Sequence, residues 1–246
     1  MKNNNTTSRF GGAVVIILVV LVVIGLIAGS VAGYFYNSGK DLQNKQSALW
    51  AEAFTLFSQK QPEAAYLKLI DVRNTFADSS LDFYHKFSKD SHITKAEVNE
   101  AIVLICQSEA YDNLFQLQSA KSWLDKARAE VEYIEDKEAK DSYLGFIDRA
   151  AMADKYCSQY QEYSKATDLD PVKYQSLVKD SLKAGNSALK DSDYDYTIFE
   201  IRFLIACGKT FNEPILINEA RQQLFEVTKE FGEDEKTKLL WSLLRH

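Results

Sequence analysis

Residues 120–134 read AKSWLDKARAEVEYI. Ala120, Trp123, Leu124, Ala127, Val131 and Ile134 recur three or four positions apart, which lines one face of a 3.6-residue helix and does not alternate as a strand must. Charged residues fill most of the intervening positions, so the segment predicts an amphipathic helix with one face for a core. Helical spacing of this kind recurs from Asn37 on. Thr94, three residues before Glu97, predicts a capping box that opens a helix near Lys95. Asp170-Pro171 predicts an N-cap followed by proline at the first helical position. Pro62 and Pro214 also stand where helices would start, and with three prolines in all none is left to break a helix. Six of the ten glycines fall at or before Gly39. The remainder is too poor in turn formers for a sandwich or barrel. The fold class expected is all-α.

The amino-terminal region has a different character. Phe10 to Tyr36 is a run of 27 residues without a charge, and Ala13 to Ala32 is nearly all Val, Ile, Leu, Gly and Ala. Twenty helical residues rise about 30 Å, the thickness of a bilayer's hydrocarbon core. Phe10 stands at one edge and Tyr34, Phe35 and Tyr36 at the other, as an aromatic belt would. A cleaved signal peptide would need a shorter apolar region of about 7–15 residues, so an uncleaved anchor is the better reading. The expected layout is a short polar tail (1–9), a transmembrane anchor (10–36), a linker (37–45) and a helical domain (46–246). Lys2 and Arg9 precede the span, and Lys40 and Lys45 follow it. By the positive-inside rule this narrowly favours a tail in the cytoplasm and a body outside it, in the inner membrane. Gly25, Gly29 and Gly33, spaced by four, form two overlapping GxxxG motifs on which another membrane helix could pack, from a partner or from a second copy in a homo-oligomer.

No acidic residue precedes Asp41, and the chain beyond the span carries 27 basic and 35 acidic residues. Phosphate binding needs Lys and Arg gathered on one face, and no such cluster occurs, so nucleic acid is not an expected partner.

Three stretches share a further pattern of large and small residues. Counting from Ile201, positions 4, 8, 11, 20, 24 and 27 hold Leu204, Gly208, Phe211, Ala220, Leu224 and Val227. From Ala101 they hold Leu104, Ser108, Tyr111, Ala120, Leu124 and Ala127, and from Gln46 they hold Leu49, Ala53, Leu56, Ala65, Leu69 and Val72. Small residues at 8 and 20 fall where two helices of a hairpin pass closely. In this the body resembles the tetratricopeptide-repeat family. It departs from that pattern in lacking the terminal proline, in Glu52 and Gln107 at a usually apolar site, and in starts that are not 34 residues apart. The resemblance implies a degenerate TPR-like array of helical hairpins that binds protein segments. A fourth hairpin is expected from helices near 141–164 and 171–190.

No pattern predicts an active site, a cofactor or a metal. His85, His92 and His246 form no HExxH motif, and Gly145, Gly185, Gly208 and Gly232 stand alone, outside any phosphate loop. Cys106, Cys157 and Cys207 read as small core residues. Asp191, Asp193 and Asp195 begin like a calcium loop, but Tyr196 replaces its glycine and Arg202 its bidentate Glu, so a helix-capping turn is expected. Two features suggest contact with other proteins. Tyr156, Tyr160 and Tyr163 make an i, i+4, i+7 stripe, which would suit a half-wet groove, although a helix face buried against its neighbour is the better reading. The C-terminal run with Leu240, Trp241 and Leu244 is apolar on more than one side, where a closing helix is usually polar outside, so it suits either a partner contact or, equally, a short helix sunk into the last repeat.

The expected function is therefore that of a non-enzymatic, membrane-anchored interaction scaffold or assembly subunit of a cell-envelope complex. The absence of an N-glycosylation sequon after the span agrees with a bacterial source. The rival reading is a single-pass sensory or ligand-binding helical domain.

Overall fold

A computed structural model describes residues 7–168, 170–190 and 193–245, and among them every regular element is a helix. In order these are α1 (Thr7–Ser58), α2 (Pro62–Thr75), α3 (Ser79–Phe87), α4 (Lys95–Phe115), α5 (Lys121–Val131), α6 (Lys137–Lys165), α7 (Pro171–Lys190), α8 (Tyr194–Thr210), α9 (Pro214–Phe231) and α10 (Glu235–Arg245). The starts follow local chemistry. Prolines open α2, α7 and α9, where a missing N–H costs nothing. At α4 the capping box closes reciprocally: Thr94 N–H donates to Glu97 Oε2 at 2.7 Å, and Glu97 N–H donates to Thr94 Oγ1 at 3.2 Å. Asp78, Asp136 and Asp193 cap α3, α6 and α8, and Asp170 Oδ1 accepts from Val172 N–H at 3.0 Å.

The turns explain the shortage of glycine. Lys60, Leu117 and Asn212, just beyond α1, α4 and α8, take left-handed backbone with φ of 60°, 58° and 55°. Each is followed by a six-residue closing bond: Gln61 N–H to Leu56 O, Gln118 N–H to Asn113 O, and Glu213 N–H to Gly208 O, at 2.8–2.9 Å. These are Schellman closures made without glycine.

The chain divides into two compact units, residues 1–98 and 99–246. This replaces the single body expected over 46–246. In the first unit α2 and α3 pack on α1. The linker expected over 37–45 does not exist: α1 runs unbroken through it, because nothing there stops a helix and the segment has packing to do. Gly39, Gln43 and Gln46 are buried. A Cβ on Gly39 would lie 2.1 Å from the Ser80 carbonyl oxygen, so only glycine lets α3 sit there. Gln46 Nε2 donates to Thr75 Oγ1 at 2.9 Å. α3, which the sequence reading did not anticipate, is held by Leu81 and Tyr84, both buried.

The second unit is built around α8. Twelve of its 17 residues are buried, as expected of a helix that is apolar nearly all round. It packs against α6, α7, α9 and α10. A Cβ on Gly208 would come within 2.7 Å of Ile217 Cδ1, so the small residue sets the close approach of α8 and α9. On α5 the stripe read from sequence is buried at Leu124, Ala127 and Val131. Ala120 is the N-cap of that helix, and its amide donates to Asp154 Oδ1 of α6 at 2.6 Å. A carboxylate borrowed from a neighbouring helix thus does the capping.

Candidate functional site

α1 contains one length, within Leu21–Ser58, apolar enough to cross a membrane, and none of its apolar window is buried by the protein. On that length a Cβ added at Gly25, Gly29 or Gly33 would meet nothing within 4 Å. The glycine face is open. Ser30 satisfies its hydroxyl within the helix by donating to Leu26 O at 2.8 Å.

The tyrosine stripe has a different fate. Tyr156 is buried, its ring 5.9 Å from that of Phe203. Tyr160 leans on Phe203 and Phe211, with its hydroxyl 3.0 Å from Thr210 Oγ1, and Tyr163 is half-buried. The stripe is the packing face of α6 on α8, so Tyr156 cannot meet a partner. The C-terminal run is corrected in the same way. Leu240 is wholly buried, Trp241 Nε1 donates to Thr228 Oγ1 at 3.4 Å, and Leu244 is half-buried. α10 packs on α8 and α9, and Leu239 is the large apolar side chain of that helix left exposed. Its start is fixed by Asp234, which accepts from Thr237 N–H at 2.8 Å and from the Tyr194 hydroxyl.

Cys106, Cys157 and Cys207 form no disulfide, and all three are buried. Burial pushes Cys157 up to about 12 and Cys207 higher still, which leaves neither as a thiolate nucleophile. Among the described residues no group of His, Cys, Asp and Glu could hold a metal. Asp191 lies outside the described residues. Asp193 caps α8 and pairs with Arg149 Nε at 2.5 Å, and Asp195 pairs with Lys236 Nζ at 3.2 Å.

Two features emerge that the sequence reading missed. The first is a 290 Å³ groove between α7 and α9, lined by Tyr174, Val178, Leu182, Ile215 and Leu216, with Lys179 and Glu213 at its rim. α7 turns its smaller residues Ser181, Gly185 and Ala188 inward, with Leu177, so Tyr174, Val178 and Leu182 stay half-exposed. Ile215 is 73% exposed and nearby Val172 75%. The i, i+4, i+8 stripe was visible in the sequence, but a second, small-residue stripe beside it was the one chosen for the core.

The second feature is Glu200, wholly buried on α8. Its Oε2 accepts from Ser181 Oγ at 2.8 Å, while Oε1 has no partner. Burial raises its carboxyl to about 8, and hydrogen bonds from Ser181 and Tyr196 oppose that rise. Across the gap left by Gly185 stands Gln223, whose Oε1 is likewise unpartnered. The apolar helix therefore holds one mostly neutral acid at its centre. The groove offers apolar surface with opposite charges at its edge, which suits docking of a peptide or helix.

No family model, curated protein or solved structure matches the chain.

Proposed function

We propose that this is a single-pass membrane protein that presents a helical interaction domain beside the membrane, as a non-enzymatic scaffold or assembly factor of a cell-envelope complex. The carrying observation is the double character of α1. Its apolar length leaves Leu26 and Ile27 67% and 60% exposed, together with their neighbours, a contiguous patch that water does not tolerate. The same helix, without a break, supplies the buried Gly39, Gln43, Gln46 and Ala53 of a folded unit. A removable leader would not be built into a core.

The α7–α9 groove supports the interaction reading, since it is an apolar surface that the second unit leaves uncovered. A degenerate TPR-like arrangement is our reading of the hairpins. Its support is that Ala53, Ala65, Ala120 and Ala220 are wholly buried and that Gly208 seats Ile217. Lys2 and Arg9 ahead of the span favour an inner-membrane location with the body outside the cytoplasm. The test is fractionation followed by protease treatment of spheroplasts. The chain should resist carbonate extraction and its body should be digested from outside. Release by carbonate sinks the anchor, and full protection reverses the orientation.

A further inference from the structure

We propose that α3 is an interfacial membrane helix, with Phe83 and Phe87 seated in the headgroup layer of the bilayer that α1 spans. This rests on the reading of α1 as a membrane span. α3 lies across α1. Ser80 and Tyr84, one turn apart on α3, both meet Gly39. Phe83 reaches one way along α1, its ring 6.0 Å from Phe35, while His85 reaches the other way, its Nε2 2.6 Å from Gln43 Oε1. Phe35 and Gln43 are separated by about 12 Å along the helix. Contacts so far apart along α1, made by residues two apart on opposite sides of α3, while Ser80 and Tyr84 both meet Gly39, point to helices that cross. A helix set steeply across the end of a membrane span runs along the membrane surface, and that is the arrangement proposed for α3.

The side of α3 turned toward the apolar length is aromatic. Phe87 follows Phe83 at i+4 with ring centroids 4.8 Å apart, and it is 65% exposed. With Tyr34, exposed and 5.9 Å from Phe35, the rings make a row from one helix to the other. Phe35 follows Ala32, where the aliphatic run over residues 13–32 ends, by about 4.5 Å of rise, and a headgroup layer is about 5–7 Å thick on each side. That is the depth at which aromatic side chains gather. The row is continuous with the span, whose surroundings are lipid, so lipid is the occupant. Nearby charges offset one another, Lys40, Lys86 and Lys89 against Asp41, Asp82 and Asp90, so ring insertion holds the helix and lipid charge matters little. A nine-residue helix would not bind a bilayer alone. Gly39 and the packing on α1 fix it there, which raises its local concentration at the surface.

The experiment uses the full chain in phosphatidylcholine vesicles, with an environment-sensitive fluorophore placed singly through Phe87→Cys, Asp82→Cys or Val23→Cys. The native cysteines are buried, so one label per chain also reports that the fold is intact. The label at 87 should emit to the blue of that at 82 and be quenched by lipids spin-labelled near the headgroup, equally in neutral and anionic vesicles. The label at 23 should be quenched by lipids labelled deep in the chain. A water-like signal at 87 with a lipid-buried signal at 23 overturns the interfacial helix alone. A blue-shifted signal at 87 that lipid quenchers do not reach means protein covers the rings, which also overturns it. A water-like signal at 23 removes the span itself.

Discussion

Glu200 shows how one residue can set the pH behaviour of a fold. Its carboxyl stands near 8 in the folded chain against an ordinary value of 4.5, so between those limits the folded state holds a proton that the unfolded state has released. Stability must then fall as pH rises from about 4.5 to about 8 and level off beyond, because unfolding releases charge into water. The groups facing it from α6, α7 and α9 are Tyr156, Ser181 and Gln223, with Tyr196 and Cys207 on α8 itself. The two tyrosines and the thiol, with values raised mainly by burial, stay neutral throughout that range. Glu200→Gln keeps an acceptor for Ser181 and removes the ionisation. It should match the wild type near pH 5 and exceed it near pH 8 by on the order of 2–4 kcal/mol, at about 1.4 kcal/mol per pKa unit. Denaturant melts of both proteins across that range would show the gap opening, and parallel curves would mean that Glu200 is charged or hydrated in the fold. Nothing in the sequence distinguished Glu200 from the many other acidic residues; its burial is a product of α8 being enclosed on every side.

At the scale of elements, what was legible is what is chemically local. A proline at N1, a Thr94–Glu97 box and an aspartate before a helix act within one turn, so the starts of α2, α4, α7, α8 and α9 could be read directly. What was not legible depended on distant partners. Gly39 and its polar neighbours read as linker, and only α3 packing on them explains why the helix continues. Leu117 and Lys60 gave no sign that they would close turns in the left-handed conformation. The tyrosine and C-terminal stripes have helical periodicity whether they face a partner or a core, so pattern alone left that choice open. For α10 the outcome carries a prediction. Truncation after Lys238 deletes Leu240 and the Trp241–Thr228 contact, uncovering α8 and α9. Burial of one large apolar side chain contributes about 1.5–3 kcal/mol, so the truncated chain should melt measurably earlier and bind a hydrophobic dye. An unchanged melting temperature would return α10 to the role of a detachable docking segment.

For the whole molecule the division at residue 98 decides what can stand alone. In the second unit polar tethers close internally: Asn99 Nδ2 donates to Tyr133 O, Gln107 Nε2 to Tyr143 O and Gln161 Nε2 to Leu117 O. Around them is a core that includes Phe199, Phe203, Ile102, Ile147 and Leu224. The first unit, without its apolar length, has little more than Ala53, Ala65, Leu69, Val72, Leu81 and Tyr84 wholly or nearly buried, in a segment of about 60 residues, a size at which burial barely offsets chain entropy. The two should therefore behave differently when excised. A fragment from Ile93 to Arg245, which keeps the Thr94 cap, should be soluble, helical by circular dichroism and cooperative in thermal unfolding. A fragment from Asn37 to Ile93 should be weakly helical in water and gain helix only when α1 is restored to full length in detergent or lipid. Lipid then acts on the fold of the first unit as well as on its location, because the helix that crosses the membrane is the one on which α2 and α3 are assembled. A cooperative melt for the short fragment in water would show that its core is sufficient without the span, and a non-cooperative melt for the long one would show that its core is completed by residues before Ile93.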